Sequence, residues 1–294
     1  MSRRKSAWAV VDHRARRLVL QSARLAQWWL EPRRWPGPTR YAPARDGQLD
    51  VAVATVRTPL ARRDEHADAA LEVGKRKNLM LAVPAFDGLL LAPSRPLSFW
   101  RTLGRAGAAR GFTWGMELRG GCVVPAIAGG LCLLSNALFE AAVRAGWRIL
   151  ERHGHSLEAI APLPGTLPLD ATVAWPDVDL VIAPESGVAR LAVRIEGNEL
   201  VVAAFMARPL DARVELALDE RVELRGPDRV RRSRVVRRRI DDSGTVIGIE
   251  DVAVSERRIL GRDELGRSCI SCGEMACHDR PGEPVLVALR RLGR

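Results

Sequence analysis

An uncharged segment runs from residue 120 to residue 139, and what it can become limits what the rest of the chain can be. Its length is close to the ~20 residues that a membrane-spanning helix requires. Gly121, Pro125, Gly129, Gly130 and Asn136 interrupt it, however, and broken backbone in lipid leaves polar groups without partners. A buried strand at Val123 and Val124, a tight turn at Gly129 and Gly130, and a helix from Leu131 to Ala145 stopped by Gly146 account for it instead. The segment therefore predicts a folded core in the middle of the chain and no transmembrane span.

The flanks are read outward from that core. Residues 9–31 place Val10, Val11, Leu18, Val19, Leu25, Trp28 and Trp29 among arginines, one or two amphipathic helical stretches that Pro32 and Pro36 interrupt. They form a predicted helical appendage over 1–48. A short helix or strand follows, then a helix over 69–81 and an apolar strand over 88–91. Residues 147–155 are expected as a strand with Trp147, Ile149, Glu151, His153 and His155 on one face, because side chains alternate along a strand. From Gly187 to Leu260 apolar alternation predicts antiparallel hairpins. The expected fold class is α+β: a mixed helix-strand core over 49–186, an antiparallel β region over 187–262 and a Cys-rich tail over 263–294.

The formal charge of +11 raises the question of a nucleic acid or an anionic surface. The densest run, residues 229–239, alternates with Val230, Val235 and Val236 and precedes a turn at Asp241, Asp242, Ser243 and Gly244. No aromatic residue interrupts it to stack a base, so it reads as the solvated face of a hairpin, and no specific nucleic acid binding is expected. The apolar stretch over 7–11 is too short for a signal sequence, which predicts a cytoplasmic protein. Five cysteines, three of them crowded near the C-terminus, make no disulfide framework in that compartment.

Several separated motifs carry a family resemblance. Ser98, Phe99 and Trp100; Gly111 and Phe112; Gly129, Gly130, Leu131 and Cys132 followed by Leu134, Ser135 and Asn136; Glu151, Arg152 and His153 with His155 and Ser156; and Asp170, Ala171, Thr172 and Val173 stand in the order found in VanW-like proteins. The chain resembles the VanW family over most of its length after about residue 50. The family commonly carries a third glycine before the cysteine and a glutamine after it, where this chain has Ala128 and Leu133. The resemblance implies an association with cell-wall precursors or vancomycin resistance and supplies no mechanism.

The residues themselves suggest chemistry. Cys132 follows two glycines at a predicted helix start, where exposed N–H groups and the helix dipole stabilise a thiolate. A predicted strand bearing His153 and His155 and an acidic residue, Asp170, come next. Cysteine on a helix start, histidine on a strand and aspartate on the next element is the layout of transglutaminase-like and papain-like thiol enzymes. The expectation is a nucleophile Cys132, a base His155 with His153 as its substitute, and Asp170 as orienter, acting on an amide or acyl bond of a small-molecule or peptide substrate. Cysteine among leucines is equally an ordinary core residue, which leaves a non-catalytic binding or scaffold protein as the rival. The same histidines and aspartate could also hold a metal.

The C-terminal Cys269, Cys272 and Cys277 are a separate signal. Two cysteines two residues apart, with Gly273 after the second, form a knuckle whose backbone N–H groups support metal-bound thiolates. Cys277 is a third ligand. His278 is its immediate neighbour and strained as a fourth, so either a distant residue completes a zinc site or the thiolates hold an iron-sulfur cluster. A metal-dependent enzyme using this cluster is a further reading.

Overall fold

The computed structural model describes residues 7–31, 37–40, 48–61, 69–119, 122–158 and 166–261, together with Cys269, Gly282 and Val285; within 7–17 only the backbone is described. Its centre is a five-stranded antiparallel sheet in the order β1-β3-β10-β11-β2. These strands are β1 (Thr39–Arg40), β2 (Val51–Pro59), β3 (Leu89–Leu91), β10 (Ala189–Glu196) and β11 (Glu199–Met206). Leu200, Val201, Val202, Ala203 and Ala204 are all buried, because both faces of β11 are covered and no polar alternation is needed there. This sheet joins strands from both sides of residue 186. The alternating residues 189–206 thus belong to the central sheet.

Two helices supply most of the packing. Helix α2 (Ala69–Phe86) runs past the expected end at Leu81 and contains Pro84. Proline removes the donor for the carbonyl of Met80, and that residue is exposed, so the helix continues at little cost. The uncharged segment divides as its glycines and proline suggest. It forms strand β6 (Cys122–Ile127), a turn, and helix α4 (Cys132–Arg144), with β6 pairing antiparallel to β5 (Trp114–Arg119). Leu134, Leu138, Phe139, Ala141, Ala142 and Val143 of α4 are fully buried, and its two charged residues, Glu140 and Arg144, pair at 2.7 Å on the open side. Among the described residues no helix is long and apolar enough to cross a membrane.

The turn before α4 depends on glycine at two positions. A Cβ on Gly129 would lie 2.4 Å from the backbone of Gly115, so strand and turn touch main chain to main chain. Gly130 has φ of 95°, in the region that favours glycine, and packs on the Lys75 stem. Asn78, wholly buried on α2, fixes this junction: its amide donates to Thr113 O and Gly129 O at 3.0 Å, and its Oδ1 accepts from Thr113 N at 2.8 Å.

A small sheet, β4 (Leu97–Ser98), β9 (Val181–Ala183) and β7 (Arg148–Glu151), explains the Ser-Phe-Trp motif. Ser98 caps the short helix α3 (Phe99–Leu103): its Oγ accepts from Arg101 N at 3.1 Å and donates to Asp179 Oδ2 at 2.5 Å. Asp179 also accepts from Trp100 N and Leu180 N; burial, which these donors oppose, pushes its carboxyl up to about 6. Phe99 and Trp100 join an aromatic chain through Trp175 to Trp28 of helix α1 (Ala7–Leu30), so α1 packs against the core and its Arg24 meets Glu151 at 2.6 Å.

The expected strand over 147–155 is shorter. Ile149 pairs with Ile182 and Glu151 with Val181, so Leu150 bulges out and the strand ends at Glu151. The one-face alternation therefore fails from Leu150 onward. A second antiparallel array, β12 (Arg213–Arg225), β13 (Asp228–Ile240) and β14 (Val246–Ile259), is joined by β8 (Leu157–Glu158) in parallel. The basic run lies on β13 as expected of a hairpin, with one exception. Arg237 is 2% exposed; it donates to Glu250 and to the carbonyls of Val143 and Trp147, which ties this array to the end of α4.

Candidate functional site

Cys132 opens α4, with Leu131 at the cap position. Its Sγ lies 3.6 Å from Thr172 Oγ1 and 4.0 Å from Val173 O. What brings residues 170–173 to this helix end is the pair Ser135 and Asn136, one turn further along. Ser135 Oγ donates to Ala171 O at 2.5 Å, and Asn136 Oδ1 accepts from Ala171 N at 2.7 Å. Both backbone groups of Ala171, itself fully buried, are thus satisfied by α4 side chains. Two motifs that lie far apart in sequence are one contact in space.

The same segment receives residues 152–155. Thr172 N donates to His153 O at 2.8 Å, and Arg152 Nη1 donates to Asp170 O at 2.6 Å. Arg152 also stacks on Phe139 and reaches Val254 O at 2.9 Å, holding α4, the Asp170 segment and β14 together. Asp170, 8% exposed, accepts from His155 twice: from the backbone N–H at 2.7 Å and from ring Nδ1 at 2.8 Å. With Nδ1 committed to the carboxylate, Nε2 is the nitrogen left for another partner. The Cys132 thiol lies close enough to the His155 side chain to help raise its pKa.

The electrostatics follow from these contacts. Burial disfavours the imidazolium, but the hydrogen bonds to Asp170 and the influence of the Asp170 carboxylate and the Cys132 sulfur outweigh it and raise His155 from 6.5 to about 10. Burial likewise opposes ionisation of Asp170. The His155 hydrogen bonds and charge and the more distant Arg257 overcome it and hold the carboxyl below its usual value. Both shifts describe one ion pair.

Cys132, His155 and Asp170 therefore converge in one place. His153 does not join them. It is 45% exposed, and its Nε2 meets Glu151 Oε1 at 3.1 Å on the side where Arg24 of α1 lies, because the bulge at Leu150 has altered the alternation. Ser135, Asn136, Arg152 and Thr172 are the positioning residues that reasoning from strand and helix periods does not single out. Their only sequence signal is that they sit inside the same motifs as the cysteine, histidine and aspartate. Cys269 is buried and its N–H donates to Val123 O at 2.9 Å. Cys272, Cys277 and His278 lie outside the described residues. Among the described residues no group of three or more His, Cys, Asp or Glu side chains is placed to hold a metal.

Residues 74–205 match the family described as VanW like protein. The chain is 30% identical over 118 residues to the vancomycin B-type resistance protein VanW of Enterococcus faecalis, covering 39% of this chain and 42% of that protein. It is 31% identical over 98 residues to the uncharacterized protein YoaR of Bacillus subtilis, covering 33% of this chain and 31% of that protein. The chain thus spans less than half the length of the curated relatives it matches. No solved structure matches it. The matched region contains most of α2, the turn at Gly129 and Gly130, Cys132, His155 and Asp170.

Proposed function

We propose that this VanW-like chain is a thiol-dependent enzyme that cleaves or transfers an amide or acyl bond, with Cys132 as nucleophile, His155 as acid and base, and Asp170 as the group that orients the imidazole. The single observation that carries the reading is the His155 ring, held through Nδ1 by the buried Asp170 carboxylate at 2.8 Å and near enough to the Cys132 thiol to be influenced by it. A thiol beside a protonated imidazole reacts as thiolate and imidazolium.

In that reading the Cys132 thiolate attacks the carbonyl carbon and the carbonyl becomes a tetrahedral oxyanion near the N-terminal end of α4, where the helix dipole favours negative charge. His155 gives its proton to the leaving amine or alcohol, and a thioester forms at Cys132. Neutral His155 then removes a proton from water or an acceptor amine, which attacks the thioester and returns the thiolate. Asp170 stays ionised and keeps the ring in one orientation. The name of the Enterococcus relative points to a peptide or cell-wall precursor as the substrate class.

The test is to incubate the protein with peptidoglycan stem peptides and read intact mass and peptide maps. A peptidyl adduct on Cys132 with release of amine by the unaltered protein, both lost in Cys132→Ser and strongly reduced in His155→Asn, is the expected result. Absence of both release and adduct rejects the enzymatic reading and favours a binding protein.

A further inference from the structure

A cation without a counter-ion stands beside the site. In the parallel pairing of β8 with β14, Arg258 lies opposite Leu157 and its N–H donates to Ser156 O at 3.1 Å, so Arg257 runs alongside Ser156, the neighbour of His155. Neighbouring strands are about 4.8 Å apart. The guanidinium of Arg257 turns to the segment that carries Asp170. Its Nη2 is 3.4 Å from Pro168 O, two residues before that carboxylate, and its charge acts on both Asp170 and Arg152.

The hydrogen bonds of Arg257 are poor for so strong a donor. The residue is half-buried, yet Nη2 reaches Pro168 O and Ser255 Oγ only at 3.4 Å and 3.5 Å, beyond the ~2.7–3.2 Å of ordinary N–H···O bonds. Its Nε is buried without a partner. Nearby carboxylates are committed elsewhere. Arg231, directly across on β13, pairs with Glu158 at 2.7 Å and with Glu220 at 2.5 Å, and Asp170 pairs with His155. Among the described residues Arg257 meets no carboxylate. Arg152, the other guanidinium here, donates instead to the carbonyls of Asp170 and Val254. Even with Cys132 ionised to offset Arg152, and His155 and Asp170 as one ion pair, the charge of Arg257 is left over.

We propose that Arg257 binds a carboxylate of the substrate, so that the bond presented to Cys132 belongs to a peptide with a free acidic group close to it. The planar fork of arginine donates two parallel hydrogen bonds to a carboxylate, and an anion there supplies the counter-charge that the protein omits. A neutral amide in the same place offers neither the charge nor the second acceptor. Which bond is attacked rests on the thiol-enzyme reading above; recognition of the carboxylate does not.

Binding and turnover of peptidoglycan stem peptides, with each carboxylate in turn free or amidated, decide it in the full chain. Calorimetry on Cys132→Ser should show that amidating one carboxylate weakens binding at least about tenfold. The position that matters tells a terminal carboxylate from a side-chain one. Adding Arg257→Gln should bring the acid down to the affinity of the amide and leave the amide unchanged, whereas lost packing would weaken both alike. Arg257→Lys, which keeps the charge without the fork, should retain part of the preference. In the unaltered protein the acid peptide, and not its amide, should protect Arg257 from phenylglyoxal in peptide maps, a readout that needs no variant to fold. Equal binding of all forms, binding of none, or a preference for the acid that survives Arg257→Gln overturns the proposal. Discrimination without any adduct on Cys132 upholds carboxylate recognition and rejects the enzymatic reading; adduct formation indifferent to amidation does the reverse.

Discussion

Asn136 accepts the backbone N–H of Ala171 at 2.7 Å, so a side chain on the first turns of α4 sets where Asp170 and Thr172 stand on either side of that alanine. The site is assembled around this contact. Cys132, one turn earlier on the helix, faces Thr172, and Asp170 faces His155.

Replacing Asn136 with alanine leaves a buried N–H without an acceptor, which costs about 1–3 kcal/mol. Asn136→Ala should be destabilised by that amount in denaturant unfolding and should also lose reactivity at Cys132. Asn136→Asp, which keeps the acceptor oxygen, should recover most of the stability. Equal losses in both variants contradict the role given to the Oδ1 acceptor.

The ion pair makes stability depend on pH in a definite direction. His155 binds its proton more tightly folded than unfolded, so its contribution is complete below about pH 6.5 and declines as pH climbs towards 10. Asp170, lowered in the fold, contributes above its ordinary value of 3.8 and loses that contribution as pH falls through the lowered one. The stability difference between the unaltered protein and Asp170→Asn should be largest between about pH 4 and 6.5 and shrink steadily towards pH 10. Unfolding curves across pH 5–10, with NMR titration of the His155 ring, check it. A difference that stays constant to pH 10 contradicts the assignment.

Much of this site was legible before any geometry. The glycine pair before Cys132, the helix after it, and the lone acidic residue following a proline-rich loop are local signals, and local chemistry determines turns and helix starts. Three features were not legible. The bulge at Leu150, which separates His153 from His155, depends on pairing with β9. The joining of residues 189–206 to β2 and β3 is a long-range pairing that alternation alone does not assign. The role of Arg237 was hidden because a run of arginines reads as solvated, whereas one of them meets the carbonyls at the end of α4.

Ala128 has φ of 63°, a left-handed conformation that costs a non-glycine residue about 1–2 kcal/mol. This is the position where the family commonly carries glycine. Ala128→Gly should raise stability by roughly 0.5–1 kcal/mol, the relief of strain being partly offset by the greater freedom of glycine in the unfolded chain. Thermal unfolding measures the change, and a lower midpoint for the glycine variant refutes it.

Arg237→Leu should cost about 3 kcal/mol, because it removes charged donors from two buried carbonyls. Glu250 is 47% exposed and can hydrate, so the loss should fall on the packing of α4 against β13. Hydrogen exchange slow at Trp147 in the unaltered protein should accelerate in the variant; unchanged exchange contradicts this.

The central claim, that His155 activates Cys132, is tested most directly by the rate at which iodoacetamide labels Cys132 at pH 7, followed by peptide mapping in the unaltered protein and in His155→Asn. The account predicts rapid labelling of the unaltered protein and labelling at least about tenfold slower in His155→Asn, with circular dichroism unchanged. Equal rates in the two folded proteins would contradict it.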